Sequence, residues 1–485
     1  MLDMFYASRK KKVARGMPKP PSVMIPDKTM EHGFNALNEA LLANLMPSIG
    51  GFSDIWARPA PKFPAAYLWD SCFIAMAWKF WDPRVALSIL KPFVQFQADD
   101  GRMPHMVFLG KIVSPLSNPP FVEMALDQIS NYHEDDVIRN YFLPATSRFL
   151  AWRKKNRYNE THGLYYWIDS YESGIDNTPR FRSVDEKQDY GVNNLGAIDI
   201  NAEVLIEHES ILNIMSRYGI TEGVDSIKEE IDRLSRAIGE KLWDSTLELF
   251  GDLDLTTGQI RTVDTIASYF PLLDISLNQE KVEKLVARLA DANKYSTLVP
   301  FPTVARDAPE FMRDTWRGPV WINTAYLALQ GLKRHGKSEI ASELAYRLCK
   351  GVFETWHNEG SFYEFYDPNR HDLQRLSRKK GNLYKQITLG GKPVKNFAGW
   401  TALANTILLE IILGVNCVHG EWMLEPNLSE AWLASENNIT INLPYYRVHI
   451  EMHLVNGTID YDATVQDTQV TGSVQNHGKT SIGRG

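Results

Sequence analysis

The fold this sequence predicts is mainly α: an (α/α)6 barrel, six helical hairpins closed into a toroid, with a small C-terminal β appendage. Three observations lead there. Apolar residues recur at i, i+3 and i+4 through most of the chain, with few convincing strands before residue 430. Long loops separate the helical stretches, and several collect Gly, Pro, Trp and acids together, as functional loops do. There is no fixed repeat of the roughly 34- or 40-residue period of helical solenoids, so closure into one domain is favoured over stacking.

Taken in order, residues 1–28 read as a basic, Pro-rich arm, with "SRKKKVAR" (Ser8 to Arg15) expected to be mobile and solvated. "TMEHGFNALNEALLANLM" (Thr29 to Met46) places Phe34, Leu37, Leu41, Leu42 and Leu45 on one helical face. Further helices are expected to begin near Trp69, Pro83, Pro120, Asp136, Leu195, Gly223, Gln279, Val320, Lys337 and Phe397. These give the barrel, residues 29–430, assigned as the catalytic domain. From about residue 437 the composition turns to alternating Thr, Ile, Val and Tyr, and "VNGT" at Val455 is a hairpin signal. Residues 431–475 are therefore assigned to a β segment and 476–485 to a disordered tail.

The 485 residues are 44% hydrophobic and 23% charged, an ordinary globular balance. A net charge of −7 argues against a nucleic-acid partner, which needs a basic face. Cys72, Cys349 and Cys417 form no framework, which points to a reducing, cytoplasmic setting. The most apolar run, Thr401 to Val415, is short and carries Glu410, so no membrane span is expected. No metal-ligand pattern or phosphate-binding glycine loop appears, and no cofactor is expected. Homo-oligomerisation is left open.

Five stretches concentrate chemistry. "DSYESGIDNTPRF" (Asp169 to Phe181) is a loop with Glu172, Asp176, Asn177 and Arg180. "AAYLWDSCF" carries Tyr67, Trp69 and Asp70, the last of which could equally be a helix cap. "DTWRGPVWINTAYLALQGL" carries Trp316, Arg317, Gly318 and Trp321. "GSFYEFYDPN" sets Glu364 among Phe362, Tyr363, Phe365 and Tyr366, and "NFAGWTALAN" opens a helix at Trp400. Each has a bland reading as core aromatic, cap or turn. Together they suit a sugar: flat rings stack on its C–H face, and Asp, Asn, Arg and Gln groups, Gln97 among them, bind hydroxyls. Two carboxyls could then serve as acid and base at a glycosidic bond.

The order "YLWDS", "ESGIDNTPR", "WRGPVWINTAY", "FYEFYDP", "NFAGWTALA" resembles glycoside hydrolase family 63 and its close relatives, the mannosylglycerate and glucosylglycerate hydrolases. Trehalases are a more distant likeness. The resemblance spans roughly residues 30 to 415. It implies an (α/α)6 barrel that cleaves α-glycosidic bonds with inversion, Asp176 as general acid and Glu364 as general base. It also implies that Tyr67, Trp69 and Asp70 line the pocket for the non-reducing sugar and that Trp316, Arg317 and Gly318 close its other wall. Glu172 is expected to be structural or to bind a hydroxyl. Arg180 and Arg182 are candidate partners for a glycerate carboxylate. Two other readings remain: an epimerase or lyase, which would draw on His105 and His133, and an inactive sugar-binding toroid with one carboxylate held in a salt bridge.

Overall fold

The computed structural model describes residues 2–182, 191–378, 387–435, 437–455 and 458–485, and for residues 2–7 the backbone alone. Twelve helices matter here. They are α1 (Leu2–Arg15), α2 (Lys28–Asn44), α3 (Leu68–Trp78), α4 (Pro83–Gln95), α5 (Val122–Tyr132) and α6 (Leu143–Arg157). Then come α7 (Ile198–Arg217), α8 (Val224–Lys241), α9 (Gln279–Ala290), α10 (Ile322–Arg334), α11 (Ser338–Glu359) and α12 (Leu403–Ile407). Local chemistry sets several ends. Asp27 caps α2 by accepting from the Met30 N–H at 3.0 Å. Asp82 caps α4, with Pro83 in the first helical position. Gly360 ends α11 at φ +68°, the left-handed conformation such caps need.

The helices divide by burial. Every residue of α3 and α12 is buried, and α10 is nearly as enclosed. α8 and α9 bury only a stripe. Contacts run from α3 to α5, from α5 to α7, and from α7 to a 3₁₀ run, Ile266–Leu273. That run contacts α10, α10 contacts α12, and α12 returns to α3. The sequence reading missed Ile266–Leu273, because "IASYFPLL" is apolar throughout, carries Pro271 and shows no helical period.

Strands gather at the C-terminus. β1 (Ser22–Met24) precedes α2; β2 (Val415–Val418) and β3 (Glu421–Leu424) follow α12. β4 (Ile439–Leu443), β5 (Val448–Val455), β6 (Thr458–Val465), β7 (Thr468–Gln475) and β8 (Thr480–Arg484) follow, while strands of two or three residues lie among the helices. One antiparallel sheet has the order β1-β4-β5-β6-β7 and another β2-β3-β8. Alternate residues of β5 are buried, the period-2 pattern of a half-covered sheet.

Two expectations at the termini are corrected. The basic arm is not unstructured, although residues 8–15 stay mostly exposed: Leu2–Arg15 is helical, Lys10 Nζ donates to the Ala43 carbonyl, and Ser22–Met24 pairs with β4. Leu, Met, Ala, Lys and Arg are all strong helix formers, and this outweighs their charge. The tail is not disordered either, since β8 pairs with β3 and buries Ile482 completely. The tip of the expected "VNGT" hairpin, residues 456–457, lies outside the described residues, although Val455 pairs with Thr458. Among the described residues no helix is long and apolar enough to cross a membrane. All three cysteines are buried and unpaired.

Candidate active site

Three helix beginnings bring the sequence motifs together. Tyr67 is the N-cap of α3, Trp321 the N-cap of α10, and Trp400 opens the 3₁₀ turn that leads into α12. Asp70 is therefore not the cap of α3; it lies in the first turn and is 6% exposed. Trp69 sits at the centre, its ring 5.9 Å from Trp316 and 5.6 Å from Trp400. Trp316 stacks on Trp321 at 3.5 Å, and Trp321 stacks in turn on Phe365 at 4.8 Å. Rings from four separate motifs thus form one aromatic wall. The Tyr67 ring packs beside Phe63 and His105 at its edge.

The loop with the two acids docks onto this wall. Gly174 has φ +74°, and a Cβ there would lie 2.8 Å from the Trp69 ring, so no larger residue fits. Asn177 Oδ1 accepts the Trp316 N–H at 2.9 Å, tying the loop to the 314–321 segment. Between these anchors the Thr178 N–H donates to the Ile175 carbonyl and closes a turn around Asp176, which is partly buried.

The 314–321 segment is itself constrained. Thr315 has φ +46°, a costly conformation for a β-branched residue, and strain of this kind concentrates at functional sites. Gly318 has φ +129°, with its N–H bonded to Thr303 Oγ1 at 2.9 Å; a Cβ there would meet the Met312 carbonyl. Arg317 is fully buried, and its Nη2 donates to the Arg182 carbonyl at 3.3 Å.

Glu364 is 4% exposed. Its Oε2 forms an ion pair with Arg378 and accepts the Val394 N–H at 3.3 Å. Its carbonyl accepts the Trp400 indole N–H at 2.8 Å, and the Tyr363 carbonyl accepts from Thr401 Oγ1 at 2.7 Å. Both backbone bonds fix the acid-bearing segment to the start of α12. The sequence reading missed Arg378, because "RLSRKK" reads as a solvated basic run.

Three residues grouped with the substrate-binding set carry structural bonds instead. Both oxygens of Glu172 are held by Arg157, at 2.7 and 3.0 Å, and Oε2 also accepts the Ile168 N–H. Arg180 is clamped by Asp199 and Asp252, through Nη1 to Asp199 at 2.8 Å and Nη2 to Asp252 at 2.7 Å. Burial opposes its charge, but the two carboxylates more than offset this and raise its pKa. Gln97 Nε2 donates to the Gly101 and Ala145 carbonyls at 2.7 and 2.8 Å, tying the end of α4 to α6. His133 ends α5 beside Tyr445, away from the aromatic wall that His105 adjoins.

Asp199, Glu203 and Glu207, spaced i, i+4 and i+8 on α7, form a buried acidic stripe that the sequence reading also missed. The four-residue recurrence of acids along one helix was the available signal. Burial, followed by the Asp199 charge, pushes the Glu203 carboxyl well above the usual range.

The sequence profile of the "mannosylglycerate hydrolase MGH1-like glycoside hydrolase domain" matches residues 63–384, a span that holds both candidate carboxylates. The chain belongs to this family. A mannosylglycerate hydrolase from Thermus thermophilus is 24% identical over 377 residues, covering 63% of this chain and 89% of that protein. The crystal structure of a glycoside hydrolase family 63 mannosylglycerate hydrolase from Thermus thermophilus, in complex with glucose, shares the fold. Its TM-score is 0.62 at 22% identity, covering 77% of this chain and 99% of that one. A family 78 rhamnosidase from a Bacillus species also shares the fold, at TM-score 0.62 and 12% identity, covering 91% of this chain and 41% of that one. Such coverage takes in part of the C-terminal strands. Membership of the family makes the chain a glycoside hydrolase by descent.

Proposed function

We propose that the chain is an inverting α-glycosidase for a small α-glycoside, with Asp176 as general acid and Glu364 as general base. The carrying observation is the convergence of all five motifs on Trp69. Gly174 abuts its ring, Asn177 ties the acid loop to Trp316, and Trp400 bonds the backbone of Glu364. The anchoring of Glu364 suits a base. Arg378 and the Val394 N–H hold Oε2, while Oε1 makes no hydrogen bond among the described residues and is left for water. In this reading the closed circuit of six inner elements is an (α/α)6 barrel, residues 29–430 are the catalytic domain and 431–475 a β segment. Inversion requires the two carboxyl groups about 6.5–9.5 Å apart, leaving space for that water. Tyr67, Trp69, Asp70, Trp316, Arg317, Gly318, Trp321, Tyr363 and Trp400 line the sugar pocket. The three unpaired cysteines suit a cytoplasmic setting.

The substrate is a glucosylglycerate or mannosylglycerate type, or a short α-glucoside. The clamp on Arg180 leaves Arg182 as the remaining candidate of that pair for an aglycone carboxylate. A hydrolysis screen against glucosylglycerate, mannosylglycerate, trehalose, kojibiose and nigerose decides, with the anomer released from the two glycerates, whose aglycone has no anomeric centre, followed by proton NMR. From these, initial release of the β-anomer fits the proposal, and initial release of the α-anomer means retention. The Glu364–Arg378 ion pair also favours a second reading, an inactive sugar-binding toroid. Sugar binding without turnover of any of the five selects that one.

A further inference from the structure

The residues of the aromatic wall lie at the beginnings of α3, α10 and α12. A cavity of about 300 Å³ lies at the other ends of the same elements. Lys79 follows α3, Lys333 is in the last turn of α10, and Glu410 is in the π-helical turn Leu408–Ile412 that continues α12. Trp69 and Lys79 are ten residues apart along one helix, so the two places are about 15 Å apart. The β2–β3 hairpin and Lys479, between β7 and β8, close the outer side. Of the five motifs only the helical continuation of one, through Tyr326 and Gln330 on α10, reaches the lining, and no residue of the aromatic wall does.

The charges do not balance. Lys79, 1% exposed, pairs with Glu410 and also donates to Gln128 at 2.7 Å. Among the described residues Lys333 reaches only the Glu410 carbonyl, at 3.4 Å, and Lys479 stands 4.0 Å from Glu425. Asp127, the other nearby acid, is paired with Arg217 at 3.3 Å. Three ammonium groups thus face two carboxylates, and two of the three make only long contacts. Tyr326 and Gln330 supply polar groups to the wall, and Asn416 spans to the Glu410 carbonyl at 3.1 Å.

We propose that this cavity is a second ligand site, for a small polyhydroxylated anion of the sugar-phosphate or sugar-acid class. The phosphate or carboxylate lies between Lys333 and Lys479, where a charge-assisted bond to each replaces a long contact. Hydroxyls meet the amides, phenols and Glu425. The volume is at the lower end of small-molecule sites, about 300 Å³, enough for one such molecule. An occupant joins α10 to the C-terminal strands, so binding stabilises the folded chain. The assignment does not depend on the hydrolytic reading of the opposite end.

The test is isothermal titration and thermal melting of the full chain with glucose 6-phosphate, D-gluconate and inorganic phosphate. Glucose is the uncharged control for the sugar pocket. Saturable binding and a raised Tm are expected with at least one sugar anion. Lys333→Ala and Lys479→Ala should each weaken that binding about tenfold, the usual loss for a hydrogen bond to a charged group. Both lysines are partly or well exposed, so the variants fold, and hydrolysis in the absence of ligand is unchanged. Tighter binding of glucose 6-phosphate than of gluconate assigns a phosphate ester, and the reverse a sugar acid. The proposal is overturned if none of the sugar anions binds more tightly than inorganic phosphate. It is also overturned if binding persists undiminished in the Lys333→Ala/Lys479→Ala double variant.

Discussion

Arg378 holds Glu364 by a single carboxylate oxygen, in an ion pair whose two side chains are each 5% exposed. The Val394 N–H reinforces the same oxygen, and the Trp400 indole fixes the backbone behind it. With Oε2 held by two donors and the backbone fixed behind it, the direction of Oε1 is restrained.

Glu364→Gln should therefore lower kcat about 10²- to 10⁴-fold, the usual contribution of a general base, while leaving product-sugar affinity within a few-fold of wild type. Steady-state kinetics and a sugar titration check both halves. Near wild-type kcat in this variant would remove Glu364 from the chemistry.

Asn177 carries a different burden, because it joins two loops rather than reacting. Asn177→Ala strands the buried Trp316 N–H, and a buried donor without a partner costs about 1–3 kcal/mol. A lower Tm and a lower kcat/KM are both expected. Asn177→Asp keeps an oxygen for that N–H and should recover most of each. Equal loss in the two variants would mean that the hydrogen bond is not what matters.

What could be read from the sequence follows from range. The helix starts near Pro83, Gln279 and Lys337 agree with α4, α9 and α11, because capping and apolar spacing are local. Convergence of the aromatic motifs was legible because so many Trp residues in polar loops have few other uses. Long-range charge pairing was not legible. Asp252 lies 72 positions from Arg180, and nothing in either neighbourhood marks the other. Glu172 and Arg157 are nearer, yet a carboxylate that props a loop has the same local sequence as one that binds a hydroxyl. The C-terminal "HGKTSIGRG" looks solvated until β3 offers an open edge and Ile482 finds a place beneath it.

The acidic stripe on α7 makes stability depend on pH. Glu207 is wholly buried and accepts the Glu123 and Met124 N–H groups at 2.9 and 3.0 Å. Burial, then the Glu123 charge beside it, raises its pKa well above the ordinary value. The folded chain thus keeps a proton that the unfolded chain releases near pH 4.3, the approximate value for a free Glu. That stabilisation is fully present below this pH and is lost as pH rises toward the folded-state pKa. Glu123→Gln removes the charge beside Glu207. Its unfolding free energy, from urea melts at pH 5 and pH 8, should decline less than that of wild type. Equal declines would place the pH dependence elsewhere.

The last prediction separates the two acids of one loop. Glu172 is fully buried with both oxygens on Arg157, whereas Asp176 sits partly buried in a turn pinned on one side by Gly174 against Trp69 and on the other by Asn177. Removing one member of a buried ion pair costs about 3–5 kcal/mol, so Glu172→Gln should lower Tm strongly. Any molecules that remain folded should still turn over, because Glu172 gives its charge to Arg157 and not to the sugar. Asp176→Asn should do the reverse. Its shape is unchanged, so Tm should hold, but the leaving oxygen loses its proton donor and kcat should fall about 10²- to 10⁴-fold. A glycosyl fluoride leaves with little help from an acid, so the Asp176→Asn variant should keep far more of its rate on that substrate than on a natural glycoside. A stable, inactive Glu172→Gln beside an unstable, active Asp176→Asn would exchange the two roles.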